Sequence, residues 1–545
     1  MRTGAELFVA CLQEAGIDTV YGLPGEENTD LMLALKRAGM PFVLCRHEQG
    51  AAMMASVHGR LTGKPAACLA TLGPGATNLV TGVADAALDH VPLLAITGQG
   101  STDRLWGESH QIIDLTALFE PITKYSLTLA TADYIPKAVH DALEAAKAAR
   151  PGAVHLSLPE DVAAARTSAE PLPAAPTIAP ATVSPAAFAA VAERIAQASS
   201  PMIVAGAGVV RTGSAPALAA FAEGTGLPIA TTFMAKGVLP PDHPQTLFTL
   251  GQPIEDHVDT ALKAADLILA VGFDPVEYPP GQLTCAGDTP LISLSEAEIP
   301  PAPGWSVELA LFGALDAVIA GVHDALGSTS WSLSAEQSAA QAAMQTALST
   351  PRSAANVGPV APQDILRHVS DGLAPSDIVL SGVGLHKLWI ARHLTPKRPG
   401  QVLIPNGLAG MGLALPGAIA AARLEPGVRV MAICGDGDVM MNVQEMETAT
   451  RLGLDLMVMV WVDGGYGLIV DKQDSAAGEH TDLAFGNPDW SHLARAFGWQ
   501  HFACDGLSSL PQMLAQAQDA TGCRLLTIPV DYKDAGKLSS LDQAA

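Results

Sequence analysis

Short apolar runs, separated by glycine-rich turns and amphipathic stretches, recur along this chain. Residues 66–70 (Ala-Ala-Cys-Leu-Ala) and 91–96 (Val-Pro-Leu-Leu-Ala-Ile) carry no charge, as strands buried on both faces do not. Thr19–Tyr21 and Pro41–Cys45 are shorter members of the series. Helical periodicity fills the intervals, beginning with Gly4 to Gly16 and including Ala51–Ala55. Such alternation predicts a doubly wound parallel sheet for residues 1–165. Residues 166–185, rich in Pro, Ala, Ser and Thr, read as a linker. A second α/β unit is expected over 186–330, with strands Pro201–Ala205 and Leu267–Val271. An Ala/Ser/Gln-rich stretch over 331–358 leads to a third, 359–545. The expected fold class is therefore α/β, with three doubly wound parallel-sheet domains.

The third unit holds the most informative pattern. Val428–Cys434 reads as a buried strand ending in Gly435-Asp436-Gly437, a turn that brings backbone close to a ligand. Asn442 is placed to cap a helix over Glu445–Leu452, stopped by Gly453, and Leu456–Val462 is the next strand. This βαβ unit sets Asp436 and Asp463 at one carboxyl edge, where ligands of open α/β sheets bind. Two carboxylates and a nearby carbonyl suit Mg²⁺, which takes six oxygens, some from a phosphate. The glycines add amides for phosphate. A bare Gly-Asp-Gly is more often an ordinary turn with solvated aspartates. The spacing and the Gly464-Gly465-Tyr466-Gly467 tail favour the metal reading.

Candidate chemistry in the first unit follows its strand ends. Arg46-His47-Glu48-Gln49 enters a helix, so Glu48 is either a crevice carboxyl or a helix-start carboxylate favoured by the dipole. Thr71-Leu-Gly73-Pro74-Gly75-Ala-Thr-Asn78 opens another helix. Gly98-Gln99 ends a strand, and His110-Gln111 and Thr123-Lys124 lie in polar connections.

Composition narrows the partners. The formal charge of −25 over 545 residues argues against nucleic acid and anionic membrane surfaces. An anionic substrate must then be met by local positive charge, amides or metal. Only 16% of residues are charged, which suits a chain that also buries surface between subunits. Seven cysteines without CxxC or zinc-like spacing read as reduced thiols. With no apolar signal core and no membrane-length apolar run, a cytoplasmic protein is expected.

Taken in order, His47-Glu48, Gly73-Pro-Gly75, Gly98-Gln99, His110-Gln111, Thr123-Lys124, Gly410-Met-Gly412 and Gly435-Asp-Gly437 resemble the thiamine diphosphate-dependent carboligases and decarboxylases over nearly the whole chain. Ser109–Asp114, Gly272–Tyr278, Trp389–Arg392, Trp461–Tyr466 and Ile528–Asp534 make the chain most similar to acetolactate synthases of the catabolic, flavin-independent type. The resemblance implies that Glu48 hydrogen-bonds the aminopyrimidine of the cofactor and that Met411 props it into a bent form. The Ala409 carbonyl would meet the aminopyrimidine. Gly384, Leu385 and His386 would contact the diphosphate, and Gly73, Pro74, Gly435, Gly437, Asp438, Tyr466 and Gly467 would also bind the cofactor. Asp436, Asp463 and the carbonyl of Gly465 would hold Mg²⁺. Asp463 stands where the wider family has asparagine. Gln99 and Gln111 become catalytic candidates, and His110, Gln111 and Lys124 substrate-binding ones. The implied cofactors are thiamine diphosphate and Mg²⁺, with no functional flavin, since Gly206-Ala-Gly208 lacks the full dinucleotide spacing.

The implied reaction is decarboxylation of pyruvate and transfer of the two-carbon unit to a second 2-oxo acid, giving 2-acetolactate. A homodimer or homotetramer is implied, with Glu48 and Asp436 serving one cofactor from two chains. Glu26 and Glu27 depart from the pattern, occupying the place of a lysine in the catabolic enzymes. A simple 2-oxo acid decarboxylase, or a carboligase with another donor and acceptor, is the alternative.

Overall fold

The structure, a computed structural model, describes all residues except 174–181, 252–255, 284–288, 354 and 533–545. Parts of the expected linker and of the Ala/Ser/Gln-rich stretch, Cys285, and Lys533-Asp534 lie outside the described residues. Three six-stranded sheets organise the chain, and every strand in them is parallel to its neighbours. The first sheet runs Phe42–Leu44, Val20–Gly22, Ala66–Ala70, Leu93–Gln99, Ala153–Pro159, Ser126–Thr128. The third runs Val402–Leu403, Ile378–Ser381, Val430–Gly435, Leu456–Val462, Cys523–Pro529, Gln500–Ala503. In chain order both read 2-1-3-4-6-5, so the two outer units share one topology. The middle sheet, Thr246–Thr249, Ile229–Thr231, Pro201–Ala205, Leu267–Val271, Leu291–Ser295, Leu309–Phe312, reads 3-2-1-4-5-6.

Apolar runs made these strands easy to place, because most central strands are buried on both faces. Ala66–Ala70, Pro201–Ala205 and Leu267–Val271 are buried at every position. One expectation needs correcting. Asn442 caps no helix. It lies in a single helical turn, Met440–Asn442, and its amide donates to the Gly412 carbonyl at 3.0 Å. A short helix, Asp436–Val439, precedes it and is too brief to show a period.

The first unit's core contains His155, which is fully buried and stacked on Phe119 at 4.1 Å. Its two ring nitrogens face the hydroxyls of Thr97 and Ser126, each at 2.9 Å. Burial pushes its pKa down from 6.5 to about 3. Below pH 6.5 the unfolded chain takes up a proton that the folded chain refuses, so stability falls as pH drops from about 6.5 towards about 3. His155→Gln should make this fall shallower by about 1.4 kcal/mol per pH unit, one proton's worth. Urea denaturation between pH 7 and 5 measures it, and an unchanged slope would reject the assignment.

Candidate active site

The pairing Gly435↔Trp461 brings the ends of two neighbouring strands level, so Asp436 and Asp463 leave the third sheet side by side. Asp436 is buried and accepts four N–H groups. Gly437 N donates to Oδ1 at 2.8 Å, while Asp463 N, Gly464 N and Asn487 Nδ2 donate to Oδ2 at 3.2, 2.8 and 2.7 Å. Burial, and then the adjacent Asp436 carboxylate, push Asp463 up to about 7. Two neighbouring carboxylates, Asp436 buried and Asp463 exposed at the mouth of the site, call for positive charge. Among the described residues no set of three His, Cys, Asp or Glu converges into a metal cage. A divalent cation here would draw its remaining oxygens from carbonyls, water or phosphate, as Mg²⁺ does.

The same edge receives the N-termini of the helices Leu385–His393 and Gly467–Ala477, whose first amides are free for an anion. Gly467 is constrained there: a Cβ would sit 3.1 Å from Asp463 Oδ2. Carboxylates for a cation and amides for phosphate thus coincide, and the residues present fit a diphosphate with its metal. His386 stands behind the turn. Its Nε2 accepts from Gly435 N at 3.2 Å, and burial lowers its pKa to about 3, so the ring is neutral. Asp438 also turns inward, accepting from Val383 N at 3.0 Å and Gly412 N at 2.9 Å. Tyr466 packs edge-on against Phe485 at 5.1 Å, and both back Gly437. The Gly464–Tyr466 turn is braced by a bridge between Gly465 and Ala484.

Met411 is half-buried in the segment after Val402–Leu403. Ala409 has φ +55°, a conformation that costs a non-glycine residue about 1–2 kcal/mol. Such strain persists only where the surroundings fix it.

In the first unit, Glu48 begins the helix Glu48–Thr62 and is buried. Its Oε2 accepts from Asn78 Nδ2 at 3.0 Å, and a Cβ on Gly75 would come within 3.2 Å of its Oε1. Gly73 has φ +52°, and a Cβ there would meet the Gln111 carbonyl at 2.8 Å. Gln111, itself at φ +59°, thus rests its backbone on the Gly73-Pro74 turn and leaves its side chain exposed. Gln99 is buried, and its amide holds Ile113 O at 3.2 Å and Gly100 N at 3.0 Å, anchoring the loop that carries His110 and Gln111. His110 is exposed, and its carbonyl accepts from Arg104.

Lys124 needs correcting. It precedes the strand Ser126–Thr128 and so lies at the amino edge of a parallel sheet, opposite the edge that carries Glu48 and Gln99. Its ammonium donates to Ala148 O at 3.2 Å and Arg150 O at 3.0 Å, just beyond the helix Ile135–Lys147. It does not face the site in this chain. Glu26 is exposed, whereas Glu27 accepts from the Thr71 hydroxyl at 2.8 Å and so stands at the carboxyl edge.

The two edges meet. Gln49 Nε2 donates to Met411 O at 3.4 Å, Asn442 Nδ2 contacts Met53 Sδ at 3.4 Å, and the helix Ala414–Leu424 packs on Glu48–Thr62. These contacts are made within one chain. Sequence reasoning missed Asn78 and Asn487, the amides that orient Glu48 and Asp436. The position of Asn78, one turn into the helix Pro74–Leu88, was the one signal for it. Asn487 lies 51 residues from its partner, with no local pattern to mark it.

Three family models match the chain in order. Residues 2–118 match the N-terminal TPP binding domain of thiamine pyrophosphate enzymes, 188–298 their central domain and 382–528 their C-terminal TPP binding domain. The acetolactate synthase of Bacillus subtilis (strain 168) is 32% identical over 98% of this chain and 95% of its own length. The acetolactate synthase isozyme 2 large subunit of Escherichia coli (strain K12) is 34% identical over 91% and 89%. The catabolic acetolactate synthase of Raoultella terrigena is 30% identical over 97% and 95%. The chain belongs to the thiamine pyrophosphate enzymes. Within them it is an acetolactate synthase-like carboligase, dependent on thiamine diphosphate. Among the described residues no helix is long and apolar enough to cross a membrane.

Proposed function

We propose that this enzyme decarboxylates pyruvate and transfers the two-carbon unit to a second 2-oxo acid, releasing 2-acetolactate. The observation that carries the reading is the meeting of the Glu48 helix with the Met411 segment beside the Asp436–Asp463 edge. The first unit, residues 1–165, would hold the aminopyrimidine end, with Glu48 exchanging a proton with a ring nitrogen away from bulk water. The third, 359–545, would hold the diphosphate, with Mg²⁺ on Asp436, Asp463 and the Gly465 carbonyl. When bound, the cofactor supplies the electron sink that decarboxylation needs. The protein's part is to orient it, through Met411 and the strained Ala409, and to exclude water. Met411, Gly384, Leu385 and the Gly467 helix would line its path. A homodimer or homotetramer belongs to this proposal, supported by the low charge content. So does a cytoplasmic location.

The middle unit is proposed to carry no flavin. Its sheet order suits a dinucleotide, but the Gly206–Gly208 turn is already filled. Both oxygens of the buried Glu277 accept from Ala207 N, at 2.9 and 3.0 Å. A Cβ on Gly206 would lie 2.4 Å from Phe273 Cα, so that glycine serves close packing. A flavin absorbance band at near-stoichiometric occupancy in the purified protein would contradict this.

Incubation with pyruvate, thiamine diphosphate and Mg²⁺ should yield CO₂ and 2-acetolactate; acetaldehyde alone would make the enzyme a simple decarboxylase. Glu27 favours a second reading, a different acceptor, because its carboxylate stands at the edge an anionic 2-oxo acid must approach. One charge at several ångströms near a protein surface is worth on the order of 1 kcal/mol. Glu27→Gln should therefore lower the apparent KM for pyruvate about fivefold. A raised KM would show that Glu27 helps to bind the substrate.

A further inference from the structure

Two buried carboxylates outside the proposed cofactor shell reach across the boundary between the first and third units, in opposite directions. Asp89 follows the first unit's helix Pro74–Leu88 and is 5% exposed. Its Oδ1 accepts from Gly407 N at 2.6 Å, and its Oδ2 accepts from Asn406 N at 3.3 Å and Arg60 Nη2 at 2.8 Å. Arg60 donates in turn to Ile404 O at 3.3 Å. These bonds fix the third unit's backbone just before strained Ala409 and Met411. Gly407 fits there only because it lacks a side chain, since a Cβ would lie 2.6 Å from Leu88 Cβ.

Glu445 does the converse. It begins the third unit's helix Glu445–Arg451 and is fully buried. Its Oε1 accepts from Arg46 N and His47 N, both at 3.0 Å, while Thr448 Oγ1 donates to its Oε2 at 2.6 Å. Those two amides immediately precede Glu48. Gly50 makes room for the contact, because a Cβ would be 2.7 Å from Glu445 Oε1. The two amides lie ahead of the first helical turn and have no intrahelical partner to fall back on.

We infer that Asp89 and Glu445 are reciprocal positioning residues: a carboxylate of the third unit holds the backbone entering Glu48, and a carboxylate of the first holds the backbone leading to Met411. Folding of either unit alone leaves its own reactive segment unheld. Docking of the two fixes the backbone entering Glu48 and the backbone leading to Met411, and the strain at Ala409 is sustained from across the boundary. The inference rests on the proposed roles of Glu48 and Met411 for its link to turnover, but the mutual holding itself is independent of them.

Hydrogen exchange on the full-length, cofactor-free protein separates the two. Glu445→Ala should speed exchange of the Arg46 and His47 amides at least tenfold, an effect in the unit that was not mutated. Asp89→Ala should do the same for Asn406 and Gly407. Glu445→Gln keeps the oxygen acceptor, and should restore most of the protection and of the activity lost in Glu445→Ala. It also serves if the alanine variant fails to fold. In the loaded enzyme the loss should fall on kcat more than on the KM for pyruvate. Exchange unchanged in the opposite unit, or altered only beside the mutation, would overturn the inference whatever the activity. The expected exchange pattern in a parent protein without cofactor-dependent activity would reject the proposed function and leave the reciprocal holding intact.

Discussion

Glu48→Gln is expected to reduce turnover by about 10²–10⁴-fold, the range attributed to a lost general acid–base group. Glutamine keeps the shape and can still accept from Asn78 Nδ2, as Glu48 Oε2 does at 3.0 Å. What it loses is the exchangeable proton. The carboxylates and helix N-termini that would bind metal and diphosphate lie in the third unit, so affinity for thiamine diphosphate with Mg²⁺ should change little. Steady-state rates alongside cofactor titration by intrinsic tryptophan fluorescence give both numbers. Undiminished turnover would remove Glu48 from the chemistry, and a parallel collapse of cofactor affinity would recast it as a structural residue.

The second large effect is expected at Asp436. Alanine there strands four donors, Gly437 N, Asp463 N, Gly464 N and Asn487 Nδ2. A buried donor left unsatisfied costs about 1–3 kcal/mol, so the turn itself should loosen. Metal affinity should fall by more than the 10–100-fold typical of losing an outer-shell partner. The parent enzyme stripped with EDTA should lose activity and regain it with Mg²⁺, while Asp436→Ala should not recover at any practical concentration. Full recovery of the variant would place the metal elsewhere.

The fold was legible because most of its central strands are buried on both faces. Leu456–Val462 and Ala66–Ala70 announce themselves as apolar runs, and a glycine-rich turn marks where the chain leaves the sheet. The Asp436–Asp463 juxtaposition was legible for the same reason, since βαβ connectivity puts successive strand ends on one edge. The short helix Asp436–Val439 was not, because four residues carry no period. Long-range polar partners escaped as well. Glu445 meets Arg46 N across 399 residues and Asp89 meets Gly407 N across 318, and nothing local in the sequence links such pairs. Lys124 was misplaced because residue type alone does not say at which end of a strand a side chain stands. Its charge suited a substrate carboxylate, but the carbonyls of Ala148 and Arg150 at the far edge hold it.

The central claim is that one cofactor lies between the carboxyl edges of the first and third sheets. A crystal structure of the enzyme with thiamine diphosphate and Mg²⁺ tests it most directly. The account predicts the pyrimidine beside Glu48, Met411 under the bend, and the metal on Asp436 and Asp463. Density for the cofactor in the middle unit, or a metal away from both aspartates, would contradict it.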